Sequence, residues 1–432
     1  MHKKWLKKLE GNELKALSSM VVLLMYAAAF LYNSPAEIVA GMKEIIISRD
    51  ALITDYFSLA NEGAAFFNAA TVMGIGLLLV IRLKGPFTGL TVAALFINGG
   101  FALWGKNIVN IWPILLGTIL YAKLHGAGLQ RYIYTALFGT CLGPFVTEMV
   151  FMLPFPTVVN LVLAAALGIF IGFVLPPLST HCASMHMGYN LFNVGFAAGV
   201  LAFALVSVLQ SFGLECEPVF IWREGRPISV VLGLYGFFLL SILSGVLKNH
   251  GNIKGIFKLM KHPGRAVADF VLMEGVGTTL INMGLVGIVC TTYIMLIQGD
   301  FSGPVIGVIM TAYGFGAFGV HPKNYIPVLA GVWLSTVFSR FTPATPGIQL
   351  AAICSVALSP ISGQFGVLAG VIAGMLHSAV VMCTSKMYGG LNLYNNGFSA
   401  GWVAIVMLPI LESFMKSYYE RKRVKSKKGD QK

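Results

Sequence analysis

Apolar runs of roughly 16 to 22 residues follow one another along almost the whole chain, close to the ~20 residues that cross a bilayer as a helix. Short stretches rich in charge, glycine or proline separate them. Backbone groups in lipid need hydrogen-bond partners within their own segment, so the runs are predicted as helices and not as open sheets. We expect an all-α integral membrane protein with about 14 transmembrane or re-entrant helices, at residues 17–32, 66–83, 88–104, 108–124, 132–153, 157–178, 190–212, 229–247, 280–297, 302–320, 325–341, 347–361, 364–383 and 392–412.

The order of polar and small residues repeats within the chain. At a shift of 214 positions, residues 63–117 fall on residues 277–331 without a gap, and 13 of the 55 positions are identical. At a shift of 202, residues 188–199 fall on residues 390–401, with eight of twelve positions identical. Matched Gly, Pro and Asn at fixed spacing do not arise from apolar composition alone, so they indicate an internal duplication. The matched pairs include Asn68/Asn282, Gly85/Gly299, Gly100/Gly314, Asn110/Asn324 and Pro113/Pro327.

Charges between the apolar runs predict how the chain is threaded through the membrane. Lys and Arg collect in residues 3–8, 248–265 and 416–428, as is typical of cytoplasmic segments. Residues 33–61 and 213–228 are acidic or mixed in charge, and we expect them outside. An odd number of crossings then separates equivalent points, which predicts two inverted-topology repeats that meet near the membrane midplane. The basic side chains that do not fit this threading are Lys106, Arg340 and Lys386.

The predicted threading divides the chain into five parts, and it places both termini in the cytoplasm of a multi-pass protein of the cell membrane. The parts are an N-terminal helix and outside loop (1–62), membrane repeat 1 (63–212), an outside loop with a connecting helix and a basic inside loop (213–276), membrane repeat 2 (277–412) and a basic cytoplasmic tail (413–432).

Composition excludes several classes of protein. Hydrophobic residues make up 56% of the chain and charged residues 11%, with a mean hydropathy of +0.78, which a water-soluble surface does not allow. The net charge of +13 belongs to the basic clusters, which suit anionic lipid and not nucleic acid. The six cysteines are scattered, without the spacing of a zinc site or a disulfide framework. Nucleotide-binding, hydrolase and zinc-protease motifs are absent from the sequence, so we predict no enzyme, no cofactor and no metal.

The second repeated block contains the main candidate binding residues. Asn190 and Asn193, like Asn392 and Asn395, are three positions apart and would share one helix face. Each amide offers two donors and an acceptor oxygen, which suits a small polar solute. The alternative is that these side chains cap helices and bridge neighbouring backbones. Asn68 and Asn282, near the start of the first helix of each repeat, join the candidates.

Helix breakers mark the fourth segment of each repeat, at Gly143-Pro144 and Ser359-Pro360. Proline removes a donor and clashes with the preceding turn, so a kinked or re-entrant helix pair is expected. Such a pair is a usual pointer to a binding site; the alternative is a kink that serves only helix packing. Glu148 follows the first breaker and is the one carboxylate deep inside a predicted helix; its counterpart is Gln364. A charge at this depth normally faces a cavity or a partner, so Glu148 is a candidate proton carrier or, alternatively, a buried structural group.

Two resemblances accompany these patterns. Residues 299–331, followed by Gly390-Leu391 and Tyr394-Asn395, resemble elements of the urea transporter family, with Asp300-Phe301 in place of its Asn-Pro and Asn392 in place of its His. That resemblance implies two inverted halves around a narrow pore. Over nearly its full length, the chain also resembles a family of bacterial multi-pass membrane proteins described as a domain of unknown function.

The sequence therefore predicts a transporter or channel for a small polar solute, with a path at the interface of the two repeats. The asparagines would line this path, and Glu148 would confer proton coupling or selectivity. The expected partners are the solute and membrane lipids, with a homo-oligomer left open. The alternatives are an intramembrane enzyme acting on a lipid-linked substrate, which needs Glu148 to meet His377 or His186 in one cavity, and a membrane scaffold without transport activity.

Overall fold

The computed structural model describes residues 2–429 of the chain and the side chains of residues 12–416. The basic segment 3–8 and most of 416–428 therefore lie outside the described side chains. The helices are α1 (His2–Tyr32), α2 (Pro35–Ile47), α3 (Tyr56–Leu59), α4 (Glu62–Arg82), α5 (Gly89–Phe101), α6 (Trp112–Leu124), α7 (Ile133–Gly139), α8 (Gly143–Met152), α9 (Thr157–Met185), α10 (Asn193–Ser211), α11 (Ile228–Lys248), α12 (Lys254–Leu259), α13 (Phe270–Leu296), α14 (Gly303–Phe315), α15 (Pro322–Phe338), α16 (Pro346–Cys354), α17 (Ser359–Phe365), α18 (Val367–Thr384) and α19 (Asn395–Gly429).

The fold is all-helical apart from one short pair of strands in the described chain. Strand β1 (Ile53–Thr54) pairs in parallel with β2 (Phe220–Ile221). Ten helical stretches in the described residues are long and apolar enough to cross a membrane, and three further apolar helices, α5, α6 and α14, have 13 residues each. An all-α membrane protein is thus confirmed, whereas the count of about 14 segments and the inverted repeats stay predictions.

Two short helices, α5 and α14, pack against each other in an antiparallel arrangement at the centre of the protein. A Cβ atom at Gly89, at the start of α5, would lie 2.1 Å from the carbonyl oxygen of Ala317, just after α14. A Cβ atom at Gly303, at the start of α14, would lie 3.0 Å from the carbonyl oxygen of Leu103, just after α5. Near the end of α5, Gly100 is in backbone contact with Gly307 of α14, because small residues allow helix axes to approach closely.

Contacts between the connecting segments define two faces of the molecule. On the first, called the basic face, residues 248–274 contact Glu13 of α1 and the ends of α5 and α9: the Ala266 amide donates to the Gly188 carbonyl over 3.0 Å, for example. On the second, called the loop face, residues 213–227 contact residues 49–62 and 300–303, through β1 and β2 and through the Trp222 indole, which donates to Asp300 over 2.9 Å. The 21-residue helix α11 leads from the loop face to the basic face.

Both predicted helix breakers are present. A 3₁₀ turn at Thr140–Leu142 separates α7 from α8, and another at Ser355–Leu358 separates α16 from α17, each ending immediately before the predicted breaker. The second segment is longer than the predicted 347–361, because α16 and α17 together cover 346–365.

An additional helix and an earlier helix start are among the differences from the predictions. Helix α2 lies within the residues predicted as an outside loop, where a capping box between Ser34 and Glu37 starts it and Ile38, Met42 and Ile45 bury one face. Helix α13 begins ten residues before the predicted start at 280, because the Asp269 side chain caps its first turn. Gly275, with φ of 81°, then allows a kink in the first part of α13 that was not predicted from the sequence.

Candidate functional site

Two unwound segments, residues 186–192 and 389–394, are largely buried between the helices and precede α10 and α19. The Leu191 amide donates to the Ala357 carbonyl over 3.0 Å, and the Leu393 amide donates to the Cys141 carbonyl over 3.1 Å. Each acceptor lies in one of the two 3₁₀ turns. The breaks in the helices therefore supply free carbonyl groups, and the unwound segments use them as partners, which satisfies backbone that lipid would leave unpaired.

Asn190 and Asn392 join the two segments to each other's helices. The Asn190 amide group donates to the Gly397 carbonyl over 2.9 Å, and the Asn392 amide group donates to the Gly195 carbonyl over 3.4 Å. The two glycines are in contact, since a Cβ atom at Gly195 would lie 3.2 Å from the Gly397 Cα atom. Asn190 and Asn392, which are 202 positions apart, thus make equivalent contacts, each with the helix that follows the other.

Asn193 and Asn395 also occupy equivalent environments. Their amide groups donate to the carbonyl groups of Ser179 and Val381, over 3.0 Å and 3.1 Å. The Asn193 oxygen faces Nε2 of His186 at 2.9 Å, whereas the Asn395 oxygen accepts from the hydroxyl groups of Thr384 and Tyr388. Both side chains therefore form hydrogen bonds with neighbouring backbone, which is the structural alternative to contact with a solute.

Asn68 and Asn282 hold the connections that follow the two short helices. Asn68 donates to the carbonyl groups of Ala102 and Lys106, over 2.7 Å and 2.8 Å. Asn282 donates to those of Gly316 and Val320, over 2.6 Å and 2.7 Å. All of these acceptors lie beyond the last turn of α5 or α14, where carbonyl groups lack helical partners.

A cavity of about 420 Å³ opens on the basic face and reaches the centre of the protein. Its opening lies at Gly188, Ala266 and the exposed Val267, and its inner end is at Tyr394. The polar side chains of interest in its lining are those of His186, Asn190, Asn193 and Tyr394. The other candidates, Asn68, Asn282, Asn392, Asn395, Glu148 and Gln364, do not line it.

Lys106 lies directly behind the inner end of the cavity and is fully buried. Its Nζ atom donates to the Tyr394 hydroxyl over 2.7 Å and to the Asn98 side-chain oxygen over 3.0 Å. The Thr140 hydroxyl donates to the same Asn98 oxygen over 3.0 Å. In the sequence, Lys106 stood out only as a basic residue that did not fit the predicted threading; a lysine in an apolar region was itself the signal for a functional site.

A second polar cluster, the acidic cluster, lies towards the loop face and is built around Asp50 and Glu148. Asp50 is fully buried and accepts from the Tyr56 hydroxyl over 2.9 Å and from the Asn107 amide group over 3.2 Å. Burial raises the pKa of Asp50 well above its usual range. The neighbouring charge of Glu148 adds to this rise.

Glu148, at 1% exposure, is paired with one cation. Its Oε2 atom lies 3.2 Å from Nε and from Nη2 of Arg49, while its Oε1 atom has no described partner. Arg49 also pairs with the exposed Glu217, so it connects the buried carboxylate to the surface of the loop face. The sequence placed Glu148 inside a helix, but it contained no sign that residues 49 and 50 fold against it. Gln364 has a different environment, because its side chain is exposed.

The acidic cluster and the cavity meet through adjacent residues. Asn107, which donates to Asp50, follows Lys106, which donates to Tyr394 at the end of the cavity. Asn110 contacts both Thr147 and the Gly105 carbonyl, over 3.1 Å and 3.2 Å. Buried polar groups therefore continue from Arg49 near the loop face to the cavity on the basic face.

The histidines named for the enzyme alternative lie apart from Glu148. His186 lines the cavity, whereas His377 is buried and faces the Asn396 oxygen at 3.1 Å. Among the described residues, there is no group of three or more His, Cys, Asp and Glu side chains that could hold a metal ion.

Helices long enough to cross a bilayer, broken at a buried polar centre, define an all-helical membrane protein. Residues 34–211 and 248–413 match the family described as "Protein of unknown function (DUF1576)", and the chain belongs to this family. The second resemblance in the sequence is thereby confirmed. No curated protein and no solved structure matches the chain, so the likeness to urea transporters stays a prediction.

Proposed function

We propose that this protein transports a small polar solute across the cell membrane, along a path between two inverted repeats. One observation carries the proposal: a cavity from the basic face ends at Tyr394, which Lys106 contacts from behind, and buried polar groups continue from there to the loop face. Polar groups at membrane depth are expensive to bury, and they are typical of substrate and ion paths.

Reversed contacts between equivalent residues support the inverted repeats. Asn190 and Asn392, 202 positions apart, donate to each other's helices, and Asn68 and Asn282, 214 positions apart, bind equivalent carbonyl groups. Such an exchange is expected of two halves related by an axis in the membrane plane. The basic face, with residues 248–265, would be cytoplasmic, and both termini would lie on the same side.

Within this proposal the candidate residues have separate roles. Asn190 and Asn193 would contact the solute, since they line the cavity. Asn392, Asn395, Asn68 and Asn282 would hold the unwound backbone around the path. Glu148, with Asp50, would carry the coupled proton or select the solute at the loop face, where Arg49 links Glu148 to the surface. Exposed Gln364 has no part in this path.

Flux into proteoliposomes tests the proposal, with urea, acetamide, glycerol, methylammonium and acetate as solutes, with and without a pH gradient. Asn193→Ala and Asn395→Ala form a matched pair, because each removes one equivalent backbone hydrogen bond but only Asn193 lines the cavity. We expect Asn193→Ala to reduce flux more strongly at equal thermal stability. Equal effects of the two substitutions would remove the cavity from the path, and no flux of any solute through folded protein would contradict transport.

Proton coupling has its own matched pair. Glu148→Gln removes the buried carboxylate that pairs with Arg49, and Glu217→Gln removes the exposed one. We expect Glu148→Gln alone to abolish the dependence of uptake on the pH gradient. Gradient-independent uptake by the wild type would instead indicate a passive channel.

The enzyme alternative has less support. It requires Glu148 to share a cavity with His186 or His377, and the contacts of these three side chains in the described chain lie in separate places. We therefore favour a transporter or channel and propose no catalytic activity.

A further inference from the structure

The charge of Lys106 has no counter-ion in the described part of the chain. Its two hydrogen-bond partners, Tyr394 and Asn98, are neutral, and it forms no ion pair with a described carboxylate. An ammonium group has three donors, so one N–H remains without a protein partner. Burial without a counter-ion favours the neutral amine, and an anion in the adjacent cavity would stabilise the ammonium form, which makes the ligand of that cavity the candidate for the anion.

The Tyr394 hydroxyl connects this charge to the cavity. Its oxygen accepts from Lys106 over 2.7 Å, and its own proton has no described acceptor. Tyr394 lines the inner end of the cavity, so the free O–H can donate to a ligand there. Accepting a hydrogen bond from a cation polarises the hydroxyl and makes it a stronger donor.

The N-terminus of the 19-residue helix α10 contributes further donors. The amide groups of Asn193, Val194 and Gly195 lie in its first turn, have no described acceptor, and belong to residues that line the cavity. The first-turn amides of a helix favour negative charge. No acidic side chain lines the cavity, and Arg265 lies beside its opening, with Nε donating to the Met187 carbonyl over 2.6 Å.

A further buried polar group belongs to the lining of the same cavity. His186 is 1% exposed and lines the cavity, and its Nδ1 atom has no described partner. Since Asn193 uses its amide group on Ser179, its oxygen accepts from His186 Nε2, which leaves Nδ1 as an acceptor. The cavity therefore offers several donors and a positive charge for an anion, together with one acceptor for a hydroxyl group.

We propose that the inner cavity binds a small carboxylate anion, which accepts hydrogen bonds from Tyr394 and the first turn of α10, with Lys106 as the compensating charge. A volume of about 420 Å³ accommodates such a ligand. The proposal rests on the proposed transport function and names the class of its solute.

Melting of the purified protein in detergent tests this site without requiring transport. Sodium acetate and sodium glycolate are the probes, acetamide is the neutral analogue of acetate, and sodium chloride matches the ionic strength. We expect acetate to raise the melting temperature in a saturable manner, and glycolate to do so at lower concentration because its hydroxyl group can donate to His186. An equal effect of acetamide, or of chloride, would overturn the carboxylate site.

Two substitutions identify the residues responsible. Tyr394→Phe removes one hydrogen bond to the anion and should weaken the apparent affinity for acetate roughly tenfold. Lys106→Met should abolish the acetate-dependent shift while raising the melting temperature without acetate. The controls are Tyr189→Phe, outside the cavity lining, and exposed Lys386→Met, both of which should respond like the wild type. An unchanged acetate response in Tyr394→Phe overturns the proposal even if Lys106→Met does not fold.

The outcomes separate this site from the transport function. Tyr394-dependent stabilisation by acetate without flux of any solute would support the anion site and contradict transport. Flux of neutral solutes without an acetate effect on melting would overturn the anion site and leave transport in place.

Discussion

Asp55 and Asp269, 214 positions apart in the chain, each accept hydrogen bonds from the first turn of a short helix that is distant in the sequence. Asp55 accepts from the Gly303 amide over 3.3 Å, and Asp269 accepts from the Gly89 amide over 3.0 Å. The two glycines are themselves 214 positions apart. The start of α14 is therefore held by residues that precede α4, and the start of α5 by residues that precede α13.

Removing either aspartate should loosen the contact that it makes with the distant helix. Asp55→Ala and Asp269→Ala each leave first-turn amides without an acceptor, so we expect each to lower the free energy of unfolding by about 0.5–2 kcal/mol. Thermal melting in detergent measures the change, with Glu44→Ala, an exposed carboxylate on α2, as the control. A melting temperature equal to that of the wild type in both aspartate variants would contradict the capping role.

Asp55 should also make stability depend on pH. Burial raises its pKa to about 6 in the folded protein, against about 3.9 in an unfolded chain. The folded state then binds more protons between these two values, so the stabilisation is complete below about pH 4 and is lost as the pH rises through about 6. We expect the stability of Asp55→Asn to fall less than that of the wild type over this interval, measured by melting at each pH. Parallel profiles of the two proteins would show that other groups cause the pH dependence.

The crossing of α5 and α14 should tolerate no added methyl group. A Cβ atom at Gly100 would lie 2.3 Å from the Gly307 carbonyl oxygen, and one at Gly307 would lie 2.3 Å from that of Gly100. Gly100→Ala and Gly307→Ala should therefore each destabilise the protein by about 1–3 kcal/mol. Gly233→Ala and Gly236→Ala on α11, where nothing lies within 4 Å, are matched controls and should be neutral or stabilising. Similar melting temperatures in all four variants would disprove the tight crossing.

Labelling from the two sides of the membrane tests the proposed threading. In a cysteine-free variant, we expect a membrane-impermeant maleimide to label Glu224→Cys in intact cells and Lys254→Cys only after permeabilisation. These exposed positions lie on the loop face and the basic face, at opposite ends of α11. Labelling of both from the same side would exclude a membrane crossing by α11 and the inverted threading with it.

Much of the helical framework could be predicted from the sequence, because a bilayer imposes one length and one polarity on every spanning helix. The predicted breaks at Gly143-Pro144 and Ser359-Pro360 are present, since proline acts through its own local geometry. Helix α2 was missed, because the charged residues on its exposed face, Glu37, Lys43 and Glu44, looked like those of a loop. The paired asparagines were found, but whether their amide groups face solute or backbone depends on which carbonyl groups other helices leave free.

The sequence by itself determined the class of the protein and the approximate positions of its helices, and it predicts a correspondence between two repeats; all of these follow from composition and from spacing along one chain. Only the tertiary structure decided that Lys106 meets Tyr394, 288 positions away, and that Asp50 lies beside Glu148. The physical reason is that a buried charge or amide acquires its partners from other helices. Local pattern shows that such a group needs a partner, but only the packing of the helices determines which one it has.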